Sequence, residues 1–242
     1  MSEKITPYKD STASKKEQVA TMFDKISRNY DGLNRVISFG IDIKWRNKVV
    51  KLVSEKNPKR ILDVATGTGD LAINLERTGA NEIIGLDISA GMLEVGKEKV
   101  LTKKLDSTIK MVLGDGEKID YPDGYFDAIT VSFGVRNFEN LEQGLSEIYR
   151  VLKPNGIFVV LETSIPTKTP YKQGYNFYST KILPLIGKLF SKDKVAYAYL
   201  SESAASFPYG IKFNNILQKI GFNSIKDRPQ TFGVATIYTA SK

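Results

Sequence analysis

Short apolar runs alternate with segments of helical spacing through the middle of the chain, and this alternation restricts the fold more than any other feature. Helices are predicted over about 69–77, 89–101 and 141–152. Strands that alternate with helices pair in parallel through right-handed crossovers, which predicts a doubly wound α/β sheet. The apolar runs that read as buried strands are Arg60–Ala65, Glu82–Asp87, Ile109–Leu113, Phe126–Ser132 and Gly156–Glu162.

The segment before the first strand predicts two or three helices. Apolar side chains recur at helical spacing from Lys16 to Leu52, with turns expected at Asp31–Asn34 and Ser38–Gly40. Residues 1–16 are polar and lack the apolar core of a secretory signal, so we expect a flexible arm there. Residues 17–242 are expected to form a single domain, which is an ordinary length for an α/β fold.

The alternation breaks after the fifth strand. Residues 166–208 are rich in aromatic and aliphatic side chains and predict a helical insertion with an aromatic, apolar face. A helix over Tyr209–Ile220 follows. Two closing strands, Phe222–Arg228 and Phe232–Ala240, are then expected with a turn at Pro229 between them. The closing strands bring the predicted sheet to seven.

Composition excludes several classes of chemistry. The 242 residues contain no cysteine and no histidine, so disulfides, thiolate nucleophiles, histidine bases and metal sites built on these ligands are ruled out. Lysine and arginine number 35 against 27 acidic residues, a net charge of +8 that suits an anionic membrane, an anionic ligand or nucleic acid. No arginine-rich run occurs, so a nucleic-acid-binding protein is the weaker alternative and no nucleic-acid partner is expected.

A glycine-rich loop follows the first predicted strand. Gly67 and Gly69 stand between this strand and a helix, where a ligand can approach the backbone. The second strand ends at Asp87, 20 residues after Gly67, and a carboxylate there can accept both hydroxyls of a ribose. The pattern therefore predicts a nucleoside-containing ligand.

Two ligand classes fit this loop. Gly67, Gly69 and Ala72 formally satisfy the dinucleotide pattern, so a dinucleotide-dependent oxidoreductase stays an alternative. Asp63 and Asp70 flank the loop with negative charge, which would repel a pyrophosphate. S-adenosyl-L-methionine carries an ammonium and a sulfonium, and the acidic flanks suit that ligand.

An aspartate in the first strand followed by spaced glycines resembles the first motif of class I methyltransferases. Further matches are Gly114–Glu117 after the third strand, Tyr121–Asp127 entering the fourth, and Leu145–Gly156 before the fifth. The resemblance implies a Rossmann-like class I methyltransferase fold: a seven-stranded, mostly parallel sheet with N-terminal helices and a helical insertion before the last strands. Ala65 departs from the superfamily pattern, which has glycine there, by a single methyl group.

The match extends to one family, the quinone C-methyltransferases, and covers the chain from about Lys16 to its end. The implied reaction is the S-adenosyl-L-methionine-dependent C-methylation of demethylmenaquinol in menaquinone biosynthesis. Alternatives are methylation of the ubiquinone precursor 2-polyprenyl-6-methoxy-1,4-benzoquinol and methylation of another small molecule, such as a sterol. The stretches that carry the resemblance are Asn29–Asp31 with Asn34, Ser38–Gly40 with Trp45 and Arg46, Ser132–Asn137, and Tyr178 with Leu183, Pro184, Ile186 and Gly187.

Site residues follow from the family position by position. Thr68 and Asp87 match its loop and ribose contacts. Asp115 and Gly116 match its adenine pair, commonly Asn-Ala, and Asp115 can still accept a hydrogen bond from the adenine amine. Ser132 matches a cofactor-site serine. The complete set of predicted cofactor-binding residues is Asp63, Gly67, Thr68, Gly69, Asp87, Asp115, Gly116 and Ser132.

Arg136, Tyr30 and Asn137 match residues that the family places at the reacting ring, and they are the predicted catalytic residues. A guanidinium is a poor base because its pKa lies above about 12, so Arg136 is expected to stabilise a phenolate or to act through ordered water. Tyr30 and Asn137 would hold that water or the ring oxygens.

The resemblance also implies partners. A polyprenylated quinol carries a tail that is embedded in the bilayer, so we expect a cytoplasmic protein that makes peripheral, salt-sensitive contact with the inner face of the membrane. A homodimer is a further possibility. The aromatic stretch of the insertion is more often core, but it could receive the tail. Basic residues that would lie near anionic head groups are Lys168, Lys172, Lys181, Lys188, Lys192 and Lys194.

Overall fold

A computed structural model describes residues 5–182 and 194–242. Seven strands form one sheet in the order β3-β2-β1-β4-β5-β7-β6. Strands β1 to β5 are parallel, and β7 runs antiparallel to β5 and to β6. The predicted seven-stranded, mostly parallel sheet is therefore confirmed. The strands are β1 Arg60–Val64, β2 Glu82–Asp87, β3 Ile109–Leu113, β4 Phe126–Ser132, β5 Leu152–Thr163, β6 Asn223–Gln230 and β7 Ala235–Ser241.

Eight helices surround this sheet in the described part of the chain. The central parallel strands are buried on both faces, because successive side chains point to opposite sides and each side carries helices, whereas the edge strand β3 is exposed at Lys110 and Leu113. Leu62 and Ile129 pack with α5 and α8, whereas Ile61 and Ile83 pack with α2, α3 and α4. The helices are α1 Lys15–Ser38, α2 Ile41–Ser54, α3 Asp70–Leu75, α4 Ala90–Thr102, α5 Leu141–Val151, α6 Tyr171–Phe177, α7 Lys194–Ser206 and α8 Ile211–Ile220.

Helix α1 is longer than its sequence suggests. Ser14 and Glu17 form a capping box at its start. The segment before the helix contacts it through a hydrogen bond that the Tyr8 amide donates to Gln18 Oε1 at 2.9 Å. The flexible arm over residues 1–16 stays a prediction. The turn expected at Asp31–Asn34 is wrong, because the helix continues through it. Burial of Leu33 and the bonds that the Asp31 carboxylate accepts from Thr68 and Lys99 outweigh the local turn preference.

The turn expected at Ser38–Gly40 is confirmed, since Phe39 and Gly40 both adopt left-handed backbone conformations between α1 and α2. The turn expected at Pro229 is wrong. Pro229 lies inside β6 opposite Thr236, and the chain reverses at Thr231–Gly233 instead. An edge strand tolerates proline because one side of its backbone has no strand to bond.

The helical insertion is confirmed for the segments that the structure describes. It contains α6, a π-helical turn at Tyr178–Ile182, and α7. Residues 183–193, with the Leu183-Pro184 and Ile186-Gly187 pairs and with Lys188 and Lys192, lie outside the described residues, as do the side chains of Lys194 and Tyr197.

Candidate functional site

A cavity opens at the carboxyl edge of β1, β2 and β4. This edge is where open α/β sheets bind ligands. Seven of the predicted site residues line it: Tyr30, Gly67, Asp87, Asp115, Gly116, Ser132 and Asn137.

Asp87 is held rigidly at the floor of the cavity. Its Oδ2 accepts from the Gly67 amide at 2.7 Å and its Oδ1 from the Ser89 amide at 2.9 Å. Gly67 reaches this position with a φ of +59°, a conformation that favours glycine. Burial raises the pKa of Asp87 to about 6. Each carboxylate oxygen keeps a further lone pair that can accept a ligand hydroxyl.

Asp115 and Gly116 form another wall. Asp115 Oδ1 accepts from the Glu117 amide at 2.8 Å, and Oδ2 accepts from Lys16 Nζ at 2.5 Å. A Cβ on Gly116 would lie 2.8 Å from Val64 Cγ1, so the backbone here packs closely against β1. Any ligand amine that reaches Asp115 therefore meets a carboxylate already paired with a lysine of α1.

Ser132 ends β4 inside the cavity. Its Oγ is buried and has no hydrogen-bond partner among the described residues. A buried hydroxyl without a partner is uncommon in native proteins and costs free energy, unless a ligand or water supplies the bond. The next turn is tightly packed, since a Cβ on Gly134 would lie only 2.5 Å from Ala65 Cβ. Ser132 therefore offers a hydrogen-bonding hydroxyl at this wall, and the small residues Gly134 and Ala65 set the shape of the wall.

Helix α1 closes the cavity from above. Lys16, Val19, Phe23 and Tyr30 all line it and lie on one helical face. Asp24 fastens the helix to α4, because its Oδ1 accepts from Ser89 Oγ at 2.6 Å and from the Gly91 amide at 2.8 Å. A ligand in the cavity would lie between the sheet edge and this helix, away from bulk water.

Arg136 lies in the turn that follows β4, next to the cavity but not among the residues that line it. Its Nη1 donates to Glu162 Oε1 at 2.5 Å and to the Phe133 carbonyl at 2.9 Å. The two side chains of the ion pair are 7 % and 0 % exposed. The neighbouring Asn137 Oδ1 accepts from the Tyr199 hydroxyl at 3.3 Å. A fixed positive charge therefore stands beside the cavity wall.

Tyrosines from three helices face this charge: Tyr30 of α1, Tyr175 of α6 and Tyr199 of α7. Burial raises the pKa of each, and it raises that of Tyr199 to about 12. The positive charge of Arg136 lowers these three pKa values, but by less than burial raises them. These phenols consequently stay protonated at neutral pH and act as hydrogen-bond donors.

Residues 11–242 match the ubiE/COQ5 methyltransferase family. This chain belongs to that family. A demethylmenaquinone methyltransferase of Bacteroides fragilis is 46% identical over 241 residues, covering 99% of this chain and 98% of the relative. A ubiquinone/menaquinone biosynthesis C-methyltransferase of Geobacter sulfurreducens is 43% identical over 241 residues, covering 99% and 93%.

The methyltransferase fold is also found in solved structures. A SAM-dependent methyltransferase of Thermotoga maritima superposes with a TM-score of 0.64 at 18% identity, covering 92% of this chain and 99% of that one. At that identity the likeness concerns the fold alone, and it agrees with the class I architecture predicted from the strand and helix pattern.

Four residues predicted for this methyltransferase's site do not line the cavity: Arg136, Asp63, Thr68 and Gly69. Asp63 is 1% exposed and its oxygens accept from the hydroxyls of Thr66 and Thr130, so it braces the ends of β1 and β4. Thr68 donates to Asp31 Oδ1 at 2.5 Å, which joins the glycine loop to α1.

Sequence reasoning missed three cavity residues on α1, Lys16, Val19 and Phe23, and it missed Glu162 at the end of β5. The helix residues had a usable signal, since they stand three, four and seven residues apart in line with Tyr30. Glu162 had a weaker one: a carboxylate at the end of an otherwise apolar strand.

Proposed function

We propose that this methyltransferase transfers a methyl group from S-adenosyl-L-methionine to a ring carbon of demethylmenaquinol, giving menaquinol. Its curated relatives in Bacteroides fragilis and Porphyromonas gingivalis, 46% and 41% identical over nearly their whole length, carry the name demethylmenaquinone methyltransferase. The observation that carries the proposal is a buried arginine beside the cavity at the carboxyl edge of the sheet, with tyrosine and asparagine at the cavity wall.

The polar groups that line the cavity match the hydrogen-bonding groups of S-adenosyl-L-methionine. Asp87 offers carboxylate oxygens for the ribose hydroxyls, and Ser132 offers a buried hydroxyl that lacks a partner among the described residues. Asp115 and Gly116 form the wall proposed for the adenine, and the loop at Gly67 lets the ligand approach the backbone. When bound, S-adenosyl-L-methionine supplies an electrophilic methyl group on a sulfonium.

Arg136 is proposed to stabilise negative charge on the ring oxygen next to the reacting carbon. Its guanidinium is held in place by Glu162 and by the Phe133 carbonyl, so it needs no reorganisation when charge develops. Tyr30 and Asn137 are proposed to position the ring oxygens. Holding carbon, methyl and sulfur in line can lower the barrier by roughly 7–11 kcal/mol at best.

Complementation tests this function in cells. A bacterium that lacks its own demethylmenaquinone methyltransferase accumulates the unmethylated quinone. Expression of this chain should restore menaquinone, which quinone extraction and mass spectrometry would measure. Accumulation that persists while the expressed protein binds S-adenosyl-L-methionine would contradict the substrate and leave the methyltransferase class standing.

Methylation of the benzoquinol precursor of ubiquinone is the second candidate. It is favoured by the Geobacter sulfurreducens relative, 43% identical, whose name covers both quinone pathways. A second strain, blocked at the ubiquinone step, would distinguish a dual enzyme from one restricted to naphthoquinols.

We also propose peripheral contact of this cytoplasmic protein with the inner face of the membrane. No helix in the described part of the chain is both long and apolar enough to cross a bilayer. Phe39, Phe177 and Phe232 are 74%, 62% and 66% exposed, and they lie on α6 or on turns that contact the insertion. Exposed Lys168 and Lys172 lie in the same segment and would meet anionic head groups.

Vesicle pelleting tests this contact. Anionic vesicles should sediment the protein at low salt and release it at high salt, and F177S/F232S should bind less. L101S is the matched control, because Leu101 is 61% exposed on α4, away from the insertion. No sedimentation with anionic lipid, or equal loss in L101S, would contradict the proposal.

A further inference from the structure

Glu162 lies at the end of β5, and only one of its two carboxylate oxygens accepts hydrogen bonds from the described residues. Oε1 accepts from Arg136 Nη1 at 2.5 Å, from the Thr163 amide at 2.8 Å and from Thr163 Oγ1 at 3.1 Å. Oε2 is buried and has no partner in the described part of the chain, and the same holds for Arg136 Nε. The side chain of Glu162 is 0% exposed. Glu162 and Arg136 do not line the cavity, but Phe133 and Asn137 on either side of Arg136 do. A ligand hydroxyl that reached Oε2 would satisfy this buried oxygen.

The groups that face Glu162 cannot themselves accept a proton at neutral pH. Tyr199 and Tyr238 face it from α7 and β7, and burial raises the pKa of each to about 12. Arg136 remains a cation, and the Glu162 charge raises its pKa further against the effect of burial. The sequence contains no histidine. Among the described residues, Glu162 is the carboxylate in contact with Arg136. It is therefore the group beside Arg136 that can accept a proton.

We propose that Glu162 is the proton acceptor of the methyl transfer, acting through Oε2 directly or over one water molecule. The proposal rests on the function above, because it needs a hydroxylated aromatic ring bound beside Arg136. It gives the Arg136–Glu162 pair two distinct tasks: the guanidinium stabilises charge on the ring oxygen, and the carboxylate removes that oxygen's hydrogen.

The step balances as follows in atoms and charge. A ring carbon bonds to the methyl carbon as the sulfur–methyl bond breaks, the O–H electron pair forms a ring carbonyl, and the proton goes to Glu162. The hydrogen on the methylated carbon then leaves to water while the oxygen recovers its proton from Glu162. One proton is released overall. The sulfonium charge disappears as the Glu162 charge is neutralised, so the net charge of the pocket stays constant.

A carboxylate is a sufficient base for this step. The ring hydroxyl becomes more acidic as the new carbon–carbon bond forms, and Arg136 stabilises the negative charge that the oxygen gains while its proton moves toward Glu162. Proton transfer to a weak base is therefore downhill at the moment it is needed. Before that moment the hydroxyl only donates a hydrogen bond to Oε2.

Three variants test the proposal. In E162Q, kcat should fall by about 10²–10⁴-fold at neutral pH, the usual contribution of an acid–base group. E162D keeps a carboxylate and should retain partial activity. E147Q is the matched control, because it breaks the Glu147–Arg150 pair on α5 outside the cavity and should leave kcat unchanged.

Binding gives a readout that needs no turnover. Adding a 1,4-naphthohydroquinol with S-adenosylhomocysteine should shift a carboxylate band in the infrared difference spectrum of the wild type but not of E162Q. A purely structural role for Glu162 predicts instead that folded E162Q binds the cofactor more weakly and keeps a kcat close to the wild-type value. That kcat, or no infrared shift, would overturn the proposal. If the wild type methylates no quinol, the proposed function fails, and the infrared shift alone decides the role of Glu162.

Discussion

Arg136 Nη1 lies 2.5 Å from Glu162 Oε1 in a place where both side chains are almost completely buried. Two opposite charges removed from water depend on each other. Removing one partner of a buried pair typically costs about 3–5 kcal/mol, whereas replacing both with apolar residues is often neutral. The pair therefore has a measurable signature in stability, separate from its role in catalysis.

We expect R136M and E162M each to lower the free energy of unfolding by about 3–5 kcal/mol, and R136M/E162M to recover most of that loss. Urea denaturation measures all four members of the cycle. Single variants that each cost less than about 1 kcal/mol would show that the charges are solvated and not paired as described.

Substitution of Arg136 should separate catalysis from cofactor binding. R136K keeps a positive charge for Glu162 but loses the rigid fork of donors. We expect kcat to fall by about 10²–10³-fold, the range seen when a charge-stabilising donor is removed. The dissociation constant of S-adenosyl-L-methionine, measured by calorimetry, should stay unchanged, and R136A should behave likewise. Unchanged turnover in R136A would remove Arg136 from the mechanism.

The close contact between Gly134 and Ala65 predicts that a substitution at one position compensates for a substitution at the other. A Cβ there would lie 2.5 Å from Ala65 Cβ, and Ala65 itself has a φ of +53°. G134A should therefore overpack the cavity wall, at about 1–3 kcal/mol of stability, and weaken cofactor binding. A65G removes the nearer of the two obstructing methyls and leaves Val131 Cγ1 at 2.9 Å, so A65G/G134A should recover a large part of both properties. A double variant no better than G134A would contradict this reading of the wall.

Cofactor affinity should depend on pH through Asp87. Burial raises the pKa of Asp87 to about 6, above its ordinary value of 3.8. The ionised carboxylate accepts ribose hydroxyls best, so affinity should be full above neutral pH and should fall as pH drops below about 6. D87N should bind weakly at every pH. Calorimetry across this range measures the effect.

Asp63 supplies the control for that experiment. Burial raises the pKa of Asp63 also to about 6, but this residue does not line the cavity. D63N should therefore keep the pH-dependent affinity of the wild type. A wild-type affinity that stays flat from pH 5 to pH 8 would contradict a role for Asp87 at the ribose.

Much of the fold could be predicted from the sequence because its parallel strands are mostly buried. Such strands appear as continuous apolar runs, and five of them lie where the runs were found. The errors at Asp31–Asn34 and Pro229 have a common cause. Both segments contain strong local turn formers, and contacts distant in sequence decide their conformation. Local preference does not report such contacts.

The candidate site could be predicted only in part for a related reason. Motif positions at the ends of strands, such as Asp87 and Ser132, converge because parallel strands end at one edge. The contribution of α1 does not follow from strand ends: the spacing of Lys16, Val19 and Phe23 places them on one face with Tyr30, but it does not report that this face packs over the sheet edge. The same holds for Glu162, whose partner Arg136 lies 26 residues away.

The most direct test of the account is a methyl-transfer assay with purified protein and radiolabelled S-adenosyl-L-methionine. Reduced demethylmenaquinone and the reduced benzoquinol precursor of ubiquinone would be offered separately, with the products resolved by chromatography. We expect label in menaquinol, and label in both products would identify a dual quinone methyltransferase. Label in neither, with cofactor binding confirmed by calorimetry, would contradict a quinol substrate.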